Sequence, residues 1–280
     1  MRSRLLRRLC KDYLTQFIKY TYFYFIDRTI EALIHPKFTG YERDYKLYSL
    51  KKLTFDTVFY STCTIYSYWT FRNEYWFPSM AGGCGECGGI YKDYPNWPPN
   101  LRSSMEMYFN IQLGVHLFSV FEMIVIKRKK ERKYYEFLLH HFMAASLILF
   151  SMMSNQITVG VSILVIHDAS DILLAGGRAL LDMRFATEVI KAVGLVGCMC
   201  TWIYMRIIVF PFCMIANVYA NRPTPQDEWY IISFEHDYLL FQLIVLECMH
   251  IFWTYMLVKM GVKAAAGEVI YNCHDGKIKK

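Results

Sequence analysis

His140 and His141 stand side by side in FLLHHFMAASLILF, and His167, Asp168 and Asp171 follow in ILVIHDASDILL, both inside long apolar runs. A carboxylate next to an imidazole fixes its tautomer and raises its basicity, the arrangement required of a general base or a nucleophilic histidine. His167 and Asp171 are spaced i, i+4 and share one helix face, whereas Asp168 and His141 each sit about 100° round from a neighbour. Groups of this kind cost about 3 kcal/mol or more each to place in an apolar segment, so a chain that keeps five together uses them for a reaction, an ion path or a proton relay.

Other chemistry is less favoured by the spacing. A di-iron membrane hydroxylase needs repeated HxxxH and HxxHH boxes, and of eight histidines here only the HH pair is clustered, so no metal is expected. His116 and His250, taken singly, read as hydrogen-bonded packing groups. Glu122, Arg206 and Glu247 each interrupt an apolar run and read as charge partners or walls of a substrate-binding pocket, because an unpaired buried charge is not tolerated.

The elements that must position these groups are membrane helices. Hydrophobic residues make up 55% of the chain and aromatic residues 17%, which is too apolar for a soluble domain of 280 residues. The formal charge of +7 is concentrated in MRSRLLRRLCK at the N-terminus and KRKKERK at Lys127–Lys133. Basic clusters beside apolar spans meet anionic lipid heads, so membrane lipids rather than nucleic acid are the partners this charge implies. The KRKKERK run sets topology and is also placed to meet the phosphates of a coenzyme A substrate.

Apolar spans are read at Leu53–Phe71, Met105–Ile126, Phe137–Ser154, Ile157–Ala175, Val189–Asn217 and Tyr238–Val258, six in all. Asn155 and Gln156 alone separate the third and fourth, which makes a tight helical hairpin. Pro211 is expected to kink the fifth. Arg72–Ser104, with GGCGECGG and NWPPN, reads as a long loop, and its Cys84 and Cys87 are open to a disulfide or to two free thiols. Residues 1–43 form a basic, amphipathic segment, either an interfacial helix or an additional transmembrane helix. The interfacial form is preferred, because crossing would carry the five basic residues of the first eleven to the outer side. Residues 44–263 form the transmembrane domain and 264–280 a cytosolic tail.

Alternating the spans puts Lys46, Lys51, Lys52, KRKKERK, Arg178, Arg184, Lys191, Lys259 and Lys263 on one side, which is cytosolic by the positive-inside rule. His140 then lies roughly 10 Å below the cytosolic face at a rise of ~1.5 Å per residue. Asp171, counted from the other side, lies about 9 Å from the same face. The two motifs therefore meet at one depth.

On these residues the chain resembles the ceramide synthases, the acyl-CoA-dependent sphingoid-base N-acyltransferases of the TLC superfamily. LLHHFMAASLILFSMMSNQITVGVSILVIHDASDILL is similar to their signature motif, and NWPPN, FEMIVIKRKKERKYYEFLLHH, WIYMRIIVFPFCMIAN and ECMHIFWTYMLVKM extend the likeness over roughly Lys46–Lys263. The chain departs from the family's usual pattern at Ala144 (threonine), Ala175 (glutamate) and near Thr158 (a basic residue), and it carries no homeobox-like insert. None of these departures removes a reacting group.

The resemblance implies an all-α integral membrane fold, a barrel-like bundle of six helices around a lipid cavity in the endoplasmic reticulum membrane. It implies transfer of a long-chain acyl group from acyl-CoA to sphinganine or a related sphingoid base. No cofactor is implied, since the thioester supplies the energy and acyl-CoA is a co-substrate. His140, His141, His167, Asp168 and Asp171 are the catalytic candidates, with Arg206, Glu122 and Glu247 at the substrate, and the Val218–Asp237 loop is implicated in chain choice. A homodimer is compatible with this reading. The alternatives are a non-enzymatic TLC protein that binds lipid as a chaperone or regulates membrane composition, and an ion-coupled lipid carrier, for which no inverted repeat is visible. The charge pattern predicts that, in intact microsomes, a membrane-impermeant thiol reagent reaches Cys84 from the lumen only; labelling from the cytosolic side reverses the topology.

Overall fold

The structure, a computed structural model, describes residues 29–34, 38, 40–85, 89–94, 96–125, 134–221 and 229–266. Most of the N-terminal segment, KRKKERK, Cys87 and the tail lie outside the described residues, and so do the expectations attached to them. Six long helices are present among the described residues: α1 (Gly40–Phe71), α2 (Pro99–Val125), α3 (Tyr134–Met153), α4 (Ile157–Leu180), α5 (Glu188–Trp202) and α7 (Trp229–Ala265). α5 runs on through a π-helical stretch, Ile203–Ile215, into the short α6 (Ala216–Ala220). Among the described residues there is no β-strand. Five of these helical runs are long and apolar enough to cross a membrane. The remaining one, α1, has 32 residues and length to spare, but its charged first half dilutes its hydropathy.

The helices pack in a ring that does not follow chain order: α1 against α4, α4 against α5 and its π-helical extension, that extension against α7, α7 against α3, α3 against α2, and α2 against α1. α4 also touches α2 and α3, and its residues Ile157 to Ile166 are all buried. Gly160 makes that central position feasible, because a Cβ there would overlap the Phe109 ring and lie 2.9 Å from Ser151 Cβ. Polarity is distributed as lipid requires. Trp69, Met153, Tyr219 and Val189 are among many large apolar side chains that face outward, while Asp168, Arg206 and His250 are buried.

Several sequence readings change in the structure, the first being α1, which begins at Gly40 rather than Leu53. α2 begins at Pro99 rather than Met105, because a proline in the first helical turn costs no hydrogen bond. α7 begins at Trp229 rather than Tyr238, so the Val218–Asp237 segment is helical at both of its described ends. The described residues of the 72–98 segment are not an open loop but a packed cap over the α3–α4 hairpin. Trp76, Phe77 and Ile90 are fully buried in it, each worth roughly 1.5–3 kcal/mol of burial. Thr158 Oγ1 donates to the carbonyl of Ile90 at 2.6 Å, Tyr91 Oη donates to Gln156 Oε1 at 2.9 Å and Trp97 Nε1 donates to the carbonyl of Asn155 at 3.1 Å. Gly85 lets the cap close, since a Cβ there would overlap the backbone carbonyl of Tyr75.

The α3–α4 hairpin is as tight as its sequence implies. Asn155 turns it with φ 58°, a left-handed conformation that asparagine tolerates better than most residues. At Pro211 the chain does not break. The wider π winding spans it, the Ala216 N–H reaches the Pro211 carbonyl, and Asn217 Nδ2 donates to the carbonyls of Phe212 and Cys213 at 3.2 and 3.1 Å. At the opposite end from the cap, Lys46 and Asp182 form a buried ion pair at 2.9 Å, beside a cluster in which Ile30, Ile34 and Phe38 pack on α1 and α4. Gly160→Ala should lower stability by about 1–3 kcal/mol, as overpacking does, read as a lower thermal midpoint of the detergent-solubilised protein.

Candidate active site

Polar groups from several walls of the ring point inward, and Arg206 collects them. It stands in the π-helical stretch, 1% exposed, with its guanidinium over the Trp202 ring at 4.6 Å. Its Nη2 donates to Asp171 Oδ1 at 2.6 Å and to the carbonyl of His167 at 3.3 Å. Nε donates to Ser170 Oγ at 2.8 Å, and Nη1 donates to His250 Nε2 at 3.2 Å. A planar guanidinium has five donors in a fixed fork, so one residue ties α4 to α7 in a single geometry.

Around it the imidazoles are ordered. His167 Nδ1 bonds the Ile163 carbonyl at 2.7 Å, and its Nε2 lies 3.2 Å from Nε2 of His250. The Nδ1 of His250 lies 3.2 Å from Glu247 Oε2. On α3 the His140 and His141 rings are 5.5 Å apart, and His140 meets the Trp253 ring edge-on at 4.9 Å. His140 is within electrostatic reach of His141, His116, His167 and Arg206. Its Nδ1 is buried with no hydrogen-bond partner among the described residues, and so is that of His116. His116 lies 6.1 Å from His141, ring to ring.

The two aspartates of HDxxD have different surroundings. Asp171 is held by the Arg206 cation. Asp168, 2% exposed, turns to α2, where Tyr108 Oη donates to its Oδ2 at 2.5 Å and Gln112 Nε2 donates to the same oxygen. Tyr108 is itself stacked on Tyr66 of α1 at 6.1 Å, so neutral donors from a rigid aromatic layer fix Asp168. Tyr60 of α1 lies in electrostatic reach of Asp171, Asp168 and Arg206, which closes the ring around the site.

The structure thus brings His140, His141, His167, Asp168, Asp171, Arg206 and Glu247 into one region of the bundle. Glu122 stands apart: it accepts from Tyr48 Oη and pairs with Lys52 Nζ at 3.1 Å, on the side of the bundle near the Lys46–Asp182 pair. His250, which taken singly reads as packing, bonds Arg206, His167 and Glu247. The signal for it is the i, i+3 spacing of Glu247 and His250, which puts both on one helix face. Tyr108, Gln112 and Ser170 carry no sequence signal, since apolar spans often hold such residues. Among the described residues no three His, Cys, Asp or Glu side chains are placed to hold one metal ion.

A polytopic helical membrane protein with a desolvated histidine–carboxylate centre is what this geometry defines. The chain belongs to the TLC domain family, whose model matches residues 50–259. It is 31% identical over 193 residues to "Ceramide synthase hyl-2" of Caenorhabditis elegans, covering 66% of this chain and 58% of that protein. It is 26% identical over 167 residues to "Ceramide synthase 4" of Homo sapiens, covering 60% of this chain and 40% of that one. It is 22% identical over 227 residues to "Ceramide synthase LOH2" of Arabidopsis thaliana, covering 78% and 70%. The chain thus spans less than two thirds of the first two relatives.

Removing Arg206 leaves a carboxylate and a histidine without their donor. Arg206→Gln should cost about 3–5 kcal/mol, the usual penalty for breaking a buried pair. Arg206→Met together with Asp171→Leu, which removes both charges, should recover part of that loss. Thermal unfolding in detergent checks both, and an Arg206→Gln protein as stable as its parent contradicts the assignment.

Proposed function

We propose that the protein is a membrane N-acyltransferase that joins a long-chain acyl-CoA to sphinganine or a related sphingoid base, giving dihydroceramide or ceramide. The observation that carries the reading is the buried Nδ1 of His140, which has no hydrogen-bond partner among the described residues, in electrostatic reach of His167 and Arg206. Membership of the TLC domain family supports it, with relatives named as ceramide synthases. Acyl transfer to an amine needs a group to take the acyl carbon or activate the amine, a path for protons, and charge to steady the tetrahedral intermediate.

His140 is the nucleophile. An uncharged imidazole is a competent acyl acceptor, and a waiting acyl-imidazole lets one cavity serve two long-chain substrates in turn. Trp253, edge-on to His140, holds that ring in place. His141 and His167 relay protons, Asp171 and Asp168 orient the imidazoles or receive the substrate ammonium, and Arg206 steadies developing oxyanion charge. Glu247 faces the same space, while Glu122 acts at the mouth through Lys52. On this reading the protein resides in the endoplasmic reticulum membrane.

Purified protein given palmitoyl-CoA or a longer acyl-CoA with sphinganine should yield the amide by lipid mass spectrometry. With acyl-CoA alone it should gain the mass of one acyl group and release coenzyme A. His140→Ala should lose both amide and adduct, and Asp171→Asn, which keeps an oxygen acceptor for Arg206 but removes its counter-charge, should lower stability and slow both steps. An adduct that survives His140→Ala but vanishes in His141→Ala exchanges those two roles. No amide across a range of chain lengths favours a TLC protein that binds lipid without transforming it.

A further inference from the structure

His250 has no step in the scheme above, although both of its ring nitrogens have polar partners. Arg206 Nη1 can only donate, so His250 Nε2, 3.2 Å away, carries a lone pair. A neutral imidazole then bears its hydrogen on Nδ1, where Glu247 Oε2 accepts it at 3.2 Å. On the facing ring, the Ile163 carbonyl can only accept, so His167 Nδ1 bears the hydrogen and its Nε2 also carries a lone pair. These two lone-pair nitrogens face each other at 3.2 Å, with no proton between them while both rings are neutral. That is an unfavourable contact in a buried place, and one proton added to His167 Nε2 turns it into a charge-assisted hydrogen bond in which the single lone pair of His250 Nε2 is shared between that proton and Arg206 Nη1.

We infer that His167 and His250 form a single proton-accepting pair, with Glu247 and Arg206 fixing the tautomer of His250, and that this pair takes the one proton amide formation releases. The inference rests on the acyl transfer proposed above. The balance requires such an acceptor. The amine arrives as R–NH3+, its nitrogen forms the C–N bond to the acyl carbon, and the bond from that carbon to the leaving group breaks. Of the two protons the nitrogen loses, one goes to the leaving imidazole or thiolate. The other enters the relay assigned above to His167, which has been given no group that holds the proton. His167 Nε2 receives it and donates it toward His250 Nε2, whose lone pair also faces Arg206 Nη1. The ionisable groups facing the pair are Arg206, Asp171, Glu247, His140 and His116. The Arg206 and Asp171 charges offset one another, so Glu247, bonded to His250 Nδ1, is the remaining acidic group beside the new imidazolium.

His250 acts through His167 and is a positioning residue, so loss of activity alone does not identify its role. Two variants of the full chain separate basicity from packing. His250→Gln keeps an acceptor for Arg206 but cannot share a proton, and His250→Ala leaves a space the size of the ring. Where both keep the parent's thermal midpoint and single elution peak, each should form the amide about 100-fold more slowly, within the range for a lost general base. Added imidazole should restore His250→Ala by roughly tenfold or more, a partial return of that general-base contribution. Pyrazole, of the same shape but a much weaker base, should not. His250→Gln placed in a His167→Gln protein should cause no further loss, because two groups that hold one proton act as a unit.

Parent-like rates in His250→Gln overturn the inference, as do equal rescue by pyrazole and imidazole or independent losses in the double variant. Variants that lose their fold, with His250→Gln failing as badly as His250→Ala, make His250 a packing group and overturn it too. A parent protein that forms no amide fails earlier, at the acyl-transfer reading itself, which the same assay separates from a failure confined to His250.

Discussion

A buried guanidinium cannot shed its charge, and that constraint organises this molecule. Arg206 needs acceptors on all sides, and they come from Asp171, Ser170, the His167 carbonyl and His250. Its position in turn requires the π winding around Pro211, which keeps Arg206, Val209, Phe210, Cys213 and Met214 on the inner surface of one helix. Packing energy from lipid-facing side chains is nearly indifferent to helix arrangement, since lipid tails are as apolar as the side chains. Polar closure at Arg206 is therefore what distinguishes this ring from other ways of bundling the same helices.

The two aspartates show how one short motif serves two ends. Less than one helical turn separates them, yet Asp171 meets a cation, whereas Asp168 meets Tyr108 and Gln112. The first arrangement lies beside the imidazoles. The second pins α4 to α2 and, through the Tyr66 stack, to α1. The site is thereby built on helices rather than loops, which holds its groups to a narrower geometry.

Much of this is legible in the residues, because membrane spans obey few rules and obey them strictly. Counting residues from each face puts His140 and Asp171 at one depth, and the structure brings His140 within electrostatic reach of Arg206 and His167. Asn155 marks the hairpin. What composition does not encode is which helices adjoin. The α3–α7 and α1–α4 contacts join segments remote in sequence, so the partnership of His250 with His167, 83 residues away, leaves no local trace. The cap escapes the sequence for a related reason: glycine and proline signal irregular backbone, yet irregular backbone can be tightly packed when aromatic residues fill it, as Trp76 and Trp97 do. Glu122 shows the converse, a charge in an apolar run whose use is to hold Lys52 and Tyr48.

The order in which the bonds of Arg206 become available has a consequence for biosynthesis. Tyr108 and Gln112 emerge 60 and 56 residues before Asp168, so α4 enters the bilayer with donors already waiting for one carboxylate. Asp171 has to wait 35 residues for its cation, and Arg206 a further 44 for His250. Between those moments the nascent chain holds ionisable groups in lipid without their partners, at a cost only snorkelling, water or a chaperoning factor offsets. A ribosome that stalls before α7 leaves a guanidinium facing the place where His250 and Glu247 should be. Such a truncated product advertises its own incompleteness, and the last of these helices to be made is the one that hides the signal.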